Sequence, residues 1–170
     1  MTSRTVSLVS YRSTQSQRAH FGVFVPSADE AVGTLIQVVG APMVGYVLEF
    51  KRNYCPDLTQ RANSLFALGQ VDSANIVDSG APSKEFVDTI PNGNIEIPAS
   101  EVQPPPISEN FMAPVNDTTN KRCQEWTMEF VRHLVAKGHI GEEAVHIVQS
   151  KRDPWNRLAA CWTSLRSIWI

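Results

Sequence analysis

The stretch GTLIQVVGAPMVGYVLEFK, residues 33–51, decides the fold class of this chain. Both of its halves are rich in β-branched and aromatic residues, and they flank GAPM (residues 40–43), a sequence typical of a turn. The uncharged run from Ala31 to Leu48 is long enough to raise the question of a membrane span, but glycines and Pro42 interrupt it. We therefore predict a β-hairpin here and no membrane-spanning segment.

Two further strands are predicted upstream of the hairpin, which makes about residues 4–54 the β-rich part of the chain. RTVSLVSYR (residues 4–12) and AHFGVFVP (residues 19–26) are apolar runs bounded by polar residues or proline. Together with the hairpin they predict an antiparallel sheet of about four or more strands. Downstream, DLTQRANSLFALGQV (residues 57–71) has leucine and alanine at helical spacing, followed by Gly69, and predicts a short helix.

The rest of the chain divides into a proline-rich connection, about residues 79–116, and a helical part, about residues 118–170. Proline at such density predicts an extended connection that excludes helix, with one short strand at NIEIP, residues 94–98. Amphipathic periodicity predicts helices in three later segments: residues 120–138, 141–152 and 153–170. We therefore expect residues 1–170 to form a single α+β domain in which the antiparallel sheet packs against C-terminal helices.

Composition and charge exclude several classes of function. Hydrophobic residues make up 42% and charged residues 19% of the 170 residues, which indicates a globular protein. The net charge is −2 and the basic residues are scattered, so no nucleic-acid partner is expected. The N-terminus lacks the apolar core of a signal peptide, and Cys55, Cys123 and Cys161 form neither a disulfide framework nor a metal-binding spacing. We expect a cytoplasmic protein without a metal or cofactor.

Cys123 is the first candidate for chemistry. It lies at the start of the helix predicted from residues 120–138, where unpaired backbone N–H groups and the helix dipole stabilise a thiolate. On a helical wheel it shares an apolar arc with Trp126 and Phe130, whereas Glu125 lies outside this arc. A cysteine on an apolar stripe is more often a core residue than a nucleophile, so both interpretations stay open.

His20 and Gln37 are the candidate partners of the thiol. His20 opens the strand HFGVFV, and Gly22 on the same face leaves room beside the imidazole. Gln37 is the polar side chain of the strand TLIQVVG. Its amide must find hydrogen bonds, either from the imidazole, whose tautomer it would fix, or from the backbone. Glu49 is a weaker candidate for the same orienting role, because it lies near the end of its strand.

The order of these motifs supports a resemblance. HFGVFV followed by RCQEWTMEFV is similar to the histidine strand and cysteine helix of the circularly permuted papain-like group, which includes the lecithin:retinol acyltransferase family and the PPPDE peptidases. The layout HxG…GxxxxVxGxPMxGYxxEFKRNY…CxxW also resembles small fungal proteins. The resemblance, mainly over residues 18–54 and 120–140, implies a permuted papain-like fold with Cys123 as nucleophile, His20 as base and Gln37 as orienting group. Where the acyltransferases have a second histidine, this chain has Gln37, which cannot act as a base.

Three functions fit these observations. The first is a Cys–His hydrolase or acyltransferase acting on an amide, ester or thioester carbonyl. The second is a small-molecule isomerase or cyclase that uses His20 and Gln37 in an apolar pocket. The third is a non-catalytic interaction protein, which binds a partner or self-associates through the apolar face of the C-terminal helix, formed by Trp155, Leu158, Trp162, Leu165 and Trp169.

Overall fold

The computed structural model describes residues 2–29, 31–58, 63–78, 80 and 84–155. Its strands are β1 (Ser3–Tyr11), β2 (His20–Pro26), β3 (Gly33–Ala41), β4 (Gly45–Tyr54), β5 (Asn63–Asp72) and β6 (Phe86–Asp88). Its helices are α1 (Ile97–Glu101), α2 (Cys123–Ala136) and α3 (Glu143–Lys151). The strands form one six-stranded antiparallel sheet in the order β5-β1-β2-β3-β4-β6. The predicted α+β class, with an antiparallel sheet and helices in the last third of the chain, is confirmed.

The predicted hairpin lies near the centre of the sheet. β3 and β4 pair from Gly33, opposite Tyr54, to Ala41, opposite Gly45. Gly45 leaves the turn with a φ of 81°, a conformation that favours glycine. The long uncharged run is therefore two strands, and no helix among the described residues is long and apolar enough to cross a membrane.

One hydrophobic core lies between the sheet and the helices. Trp126, Phe130 and Leu134 lie along one side of α2 and are fully buried. They pack with side chains from the central strands, among them Phe21, Val23, Ile36, Val38 and Phe50. Each fully buried side chain of this size contributes about 1.5–3 kcal/mol of hydrophobic stabilisation, so this contact anchors α2 firmly against β2 and β3.

The helix predicted over residues 57–71 is wrong, because residues 63–72 form the edge strand β5. β5 pairs with β1 along its whole length, from Ser3 opposite Asp72 to Tyr11 opposite Asn63. Of the side chains that suggested a helix, Leu58 is 82% exposed and Leu65 is 44% exposed. Their helical spacing therefore does not correspond to a buried face, and pairing with β1 determines the conformation.

The strand predicted at NIEIP is also wrong, because α1 begins at Ile97. Pro98 lies in the first turn of α1, where a backbone N–H has no intrahelical partner and its loss costs nothing. The proline that seemed to exclude a helix is therefore compatible with the start of one. The same proline-rich connection also contributes β6, a three-residue edge strand paired with β4.

A buried arginine fastens the proline-rich connection to the sheet. The side chain of Arg52 on β4 is 1% exposed, and its guanidinium donates hydrogen bonds to both carboxylate oxygens of Glu96. It also donates to Asp88 at 3.2 Å, to the Ile90 carbonyl at 2.9 Å and to the Thr34 hydroxyl at 3.2 Å. A planar guanidinium suits such multiple recognition, and the bonds hold the connection against β4.

The predicted C-terminal helix lies outside the described residues from position 156 onward. Its first three residues, 153–155, are described. Asp153 is buried, and its carboxylate accepts the backbone N–H of Ala19 at 2.7 Å. Trp155 is 50% exposed. Self-association through the tryptophan-rich face stays a prediction.

Candidate active site

The start of α2 lies against the sheet near the point where the hydrogen-bonded ladder between β2 and β3 ends. β2 pairs with β1 from His20 to Phe24, but with β3 only from Val23 to Pro26. Beyond the end of that ladder, Sγ of Cys123 lies 3.9 Å from the carbonyl oxygen of Ala19, and the backbone N–H of Phe21 is close enough to lower the pKa of the thiol. The first residue of α2 therefore sits beside the first residues of β2.

The three site residues predicted from the sequence meet at this position. The Oε1 atom of Gln37 lies 2.8 Å from Nε2 of His20. The thiol of Cys123 also lies close to the imidazole, close enough for the two groups to shift each other's pKa. His20 and Cys123 are half-buried, whereas Gln37 is 5% exposed. The imidazole thus lies between the thiol and the amide.

A fourth side chain, Glu49, extends this hydrogen-bonded row. Gln37 donates through Nε2 to Oε1 of Glu49 at 2.6 Å, and the two residues lie directly opposite each other in the β3–β4 ladder. Because a carboxylate accepts hydrogen bonds, the NH₂ group of Gln37 faces Glu49 and its oxygen faces His20. The signal that would have ranked Glu49 higher is the register of the hairpin, which places it opposite Gln37.

The pKa values of His20 and Cys123 move in opposite directions. Burial lowers the pKa of His20, but Cys123, Gln37 and Glu49 outweigh it and hold that pKa above its ordinary value. Burial raises the pKa of the Cys123 thiol, but His20 and the N–H of Phe21 outweigh it and hold that pKa below its ordinary value. Both shifts favour a thiolate beside an imidazolium.

Two features limit the space around the imidazole and its partner Gln37. The ring of Tyr11 packs against it, with centroids 4.8 Å apart and an interplanar angle of 38°. Gly22 lies two residues along β2, and a Cβ atom there would lie 2.7 Å from Cδ1 of Leu35 and 3.4 Å from Cβ of Gln37. The room beside Gly22 that the sequence predicts is therefore occupied by these two side chains.

Buried ion pairs hold the start of α2 in place. Glu125 is 1% exposed and lies 2.7 Å from Arg18 and 3.0 Å from Arg152. It also accepts the backbone N–H of Arg122 at 3.0 Å. Glu125 lies outside the apolar arc of the helix, and it is buried because two guanidinium groups neutralise it. Its partners are 107 and 27 residues away in the sequence, so helical periodicity gives no sign of them.

Gln124 and Asp153 connect the same region to the backbone of β2. Gln124 donates to the Ala19 carbonyl at 2.8 Å and to Asp153 at 2.9 Å, and it accepts the backbone N–H of Asp153 at 2.9 Å. Ala19 immediately precedes His20, and Gln124 immediately follows Cys123. These bonds therefore fix the backbone next to both reactive side chains.

The arrangement contains the groups that acyl chemistry needs. It has a thiol with a lowered pKa, a base in contact with it, and an amide that fixes the tautomer of the base. The first turn of α2 adds backbone N–H groups that lack intrahelical partners and can stabilise an oxyanion. Among the residues described, no group of three or more histidine, cysteine, aspartate or glutamate side chains is arranged to hold a metal ion.

The family assignment covers both halves of this site. A family model described as "Family of unknown function (DUF6540)" matches residues 6–141, and this range includes His20, Gln37, Glu49 and Cys123. The chain belongs to this family. No curated protein and no solved structure matches the chain at a significant level.

Proposed function

We propose that this protein is a cysteine-dependent enzyme that attacks the carbonyl carbon of an amide, ester or thioester. Cys123 is the nucleophile, His20 is the general base and Gln37 orients the imidazole. The observation that carries the proposal is the position of His20, whose Nε2 lies 2.8 Å from the Gln37 oxygen and whose imidazole is close enough to the Cys123 thiol to lower its pKa. The early end of the β2–β3 ladder, with a cysteine helix placed against it, also supports the permuted papain-like arrangement that the sequence resembles.

The reaction follows from the hydrogen bonds. With Nε2–H donated to Gln37, the Nδ1 atom of His20 exchanges a proton with the thiol. The thiolate adds to the carbonyl carbon, and N–H groups at the start of α2 stabilise the oxyanion. Collapse breaks the bond to the leaving group, which takes the proton from the imidazolium and leaves an acyl-cysteine. Water or another acceptor then attacks the acyl carbon while His20 removes its proton, and the C–S bond breaks to release Cys123 as the thiolate. The choice of acceptor decides between hydrolysis and acyl transfer.

Gln37 is suited to its role although it cannot act as a base. An orienting group has only to accept the Nε2–H bond and hold the ring, which a neutral amide oxygen does as well as an imidazole nitrogen. The hydrogen bond from Gln37 to Glu49 fixes the amide in the accepting orientation. The replacement of a second histidine by glutamine therefore leaves the proposed chemistry intact.

The first test is the reactivity of the cysteines across a pH series. Dilute iodoacetamide modifies the native protein, and peptide mapping by mass spectrometry locates the adducts, with Cys55 as an internal control. We expect Cys123 to react with a midpoint well below the value of about 8.5 for a free thiol. We expect His20→Asn to move that midpoint to the ordinary range. Equal midpoints for Cys123 in the two proteins would contradict the proposal.

An acyl donor then tests the chemistry itself. With p-nitrophenyl acetate as probe, we expect burst release of nitrophenol and an acetyl adduct on Cys123. Cys123→Ala should abolish the adduct, and His20→Asn should slow its formation by about 10²–10⁴-fold. An adduct that forms at the same rate in His20→Asn would exclude His20 as the base.

A further inference from the structure

We infer that Glu49 is a positioning residue of the Cys–His pair: acting through Gln37, its carboxylate orients the His20 imidazole and stabilises the protonated ring. This inference rests on the proposed function and adds a fourth member to the site. Glu49 is linked to the imidazole by hydrogen bonds through the amide of Gln37, which lies between them.

The hydrogen bonds supply the orienting part of this role. A glutamine amide presents an acceptor at one end and a donor at the other, and without a second partner both ends can face an imidazole. Glu49 removes this choice, because its carboxylate lies 2.6 Å from Nε2 of Gln37. The ladder holds the two residues directly opposite each other, and Gln37 is 5% exposed, so solvent competes little for the amide.

Charge supplies the stabilising part. Hydrogen bonds in a chain polarise one another, so a carboxylate at one end of an amide makes the oxygen at the other end a better acceptor. The negative charge of Glu49 also acts on His20 directly and in the same direction. The titratable groups that act on or pack against the imidazole come from three elements: Cys123 on α2, Tyr11 on β1 and Glu49 on β4. Glu125 on α2 acts on the thiol. The charge of Glu49 therefore acts on His20 in the same direction as the hydrogen bonds through Gln37 do.

A purely structural role for Glu49 makes a different prediction. If Glu49 served only to satisfy the amide of Gln37, any residue able to accept that hydrogen bond would replace it. Glu49→Gln keeps an acceptor oxygen of the same reach and removes the charge, whereas Glu49→Leu removes both. The comparison of these two variants separates charge from hydrogen bonding.

The readout is the titration of His20, measured by NMR on protein with labelled histidine and assigned with His20→Asn. We expect Glu49→Gln to lower the His20 midpoint by roughly half a pH unit or more, because an opposite charge nearby has been lost. Glu49→Leu should lower it further and should also slow alkylation of Cys123. Glu85→Gln is the matched control, since Glu85 pairs with Lys51 of the same strand at 2.7 Å, and we expect it to leave the titration unchanged.

A double-mutant cycle tests whether the effect passes through Gln37. In a Gln37→Leu background, Glu49→Gln should change the His20 midpoint by less than in the wild type, because only the direct effect of the charge remains. An equal change in both backgrounds would overturn the inference, and so would a wild-type midpoint in Glu49→Gln with loss only in Glu49→Leu. Ordinary thiol reactivity of Cys123 in the wild type would instead overturn the proposed function. If Glu49→Leu does not fold, Glu49→Gln and the cycle decide the question.

Discussion

Gly22 shows how a single residue sets the geometry of the candidate site. It lies on the same face of β2 as His20, and the side chain of Gln37 passes over it to reach the imidazole. Any larger residue would add atoms where Leu35 and Gln37 already pack. Leu35 is 2% exposed, so it has little space into which to move.

We predict that Gly22→Ala destabilises the fold and weakens the site together. The new Cβ would lie 2.7 Å from Cδ1 of Leu35, and overpacking of this kind costs about 1–3 kcal/mol of unfolding free energy. Urea unfolding measures the cost, and alkylation of Cys123 reports the site. Gly69→Ala is the control, because a Cβ there would lie 3.8 Å from Ile140, an ordinary contact. Equal stability of the two variants would contradict the prediction.

The sequence predicts the candidate nucleophile, base and orienting group better than the residues that support them. Cys123, His20 and Gln37 were identified from local features: a helix start, a strand start and one polar residue in an apolar strand. The structure brings these three side chains together. Glu49 is a weaker candidate from the sequence alone, because its role depends on pairing across the hairpin. The role of Glu125 depends on residues far away in the chain, which no local pattern reveals.

Among the secondary-structure elements, α2 matters most to the site, because its first turn carries Cys123. Apolar packing fixes the helix along its length, while ion pairs fix its start. These interactions differ in kind. The apolar contacts bury the helix against the sheet along its length, whereas the buried charges require specific partners at specific distances beside its first turn. We therefore assign the placement of Cys123 to the ion pairs around Glu125.

We predict that Glu125→Leu is strongly destabilising, by about 3–5 kcal/mol, because it leaves Arg18 and Arg152 without their shared buried counter-ion. Glu129→Leu, on the same helix, removes a half-exposed pair with Lys121 and should cost less than about 1 kcal/mol. Chemical denaturation of both variants measures the difference. A cost for Glu125→Leu as small as that for Glu129→Leu would show that the buried pairs contribute little.

Local patterns predicted most of the elements correctly. The four strands upstream of residue 55 are apolar runs bounded by polar residues or turns, α2 and α3 have helical periodicity, and the structure confirms these six elements. β5 and α1 do not follow their local patterns. β5 is a strand because β1 offers an edge to pair with, and α1 is a helix in a segment that Arg52 holds against the sheet through Glu96. Both conformations depend on partners distant in sequence.

At the scale of the whole molecule, two buried carboxylates link the sheet to the helices. Burial raises the pKa of Glu125, but Arg18 and Arg152 outweigh it, so that pKa lies below its ordinary value. Burial likewise raises the pKa of Asp153, but the Ala19 N–H and Arg12 outweigh it. In the unfolded chain both groups return to ordinary pKa values near 4. The unfolded state therefore binds more protons in acid than the folded state does.

This difference predicts an acid-sensitive fold. The stabilisation from the two carboxylates is fully present above about pH 5 and is lost as the pH falls through their folded pKa values. The midpoint of urea unfolding should therefore decrease steadily between about pH 5 and pH 3. A variant with Glu125→Gln and Asp153→Asn should be less stable at neutral pH and should show a flatter decline. An equally steep decline in that variant would assign the acid sensitivity to other groups.

The early end of the β2–β3 ladder also affects how the protein behaves when it is damaged. A strand with unpaired backbone groups is a template on which other chains can pair and aggregate. In the folded protein α2 packs against β2, and its first residue, Cys123, lies beside the first residues of β2, which the β2–β3 ladder leaves unpaired. Separation of α2 from the sheet would therefore disrupt the candidate site and expose the unpaired edge of β2 at the same time.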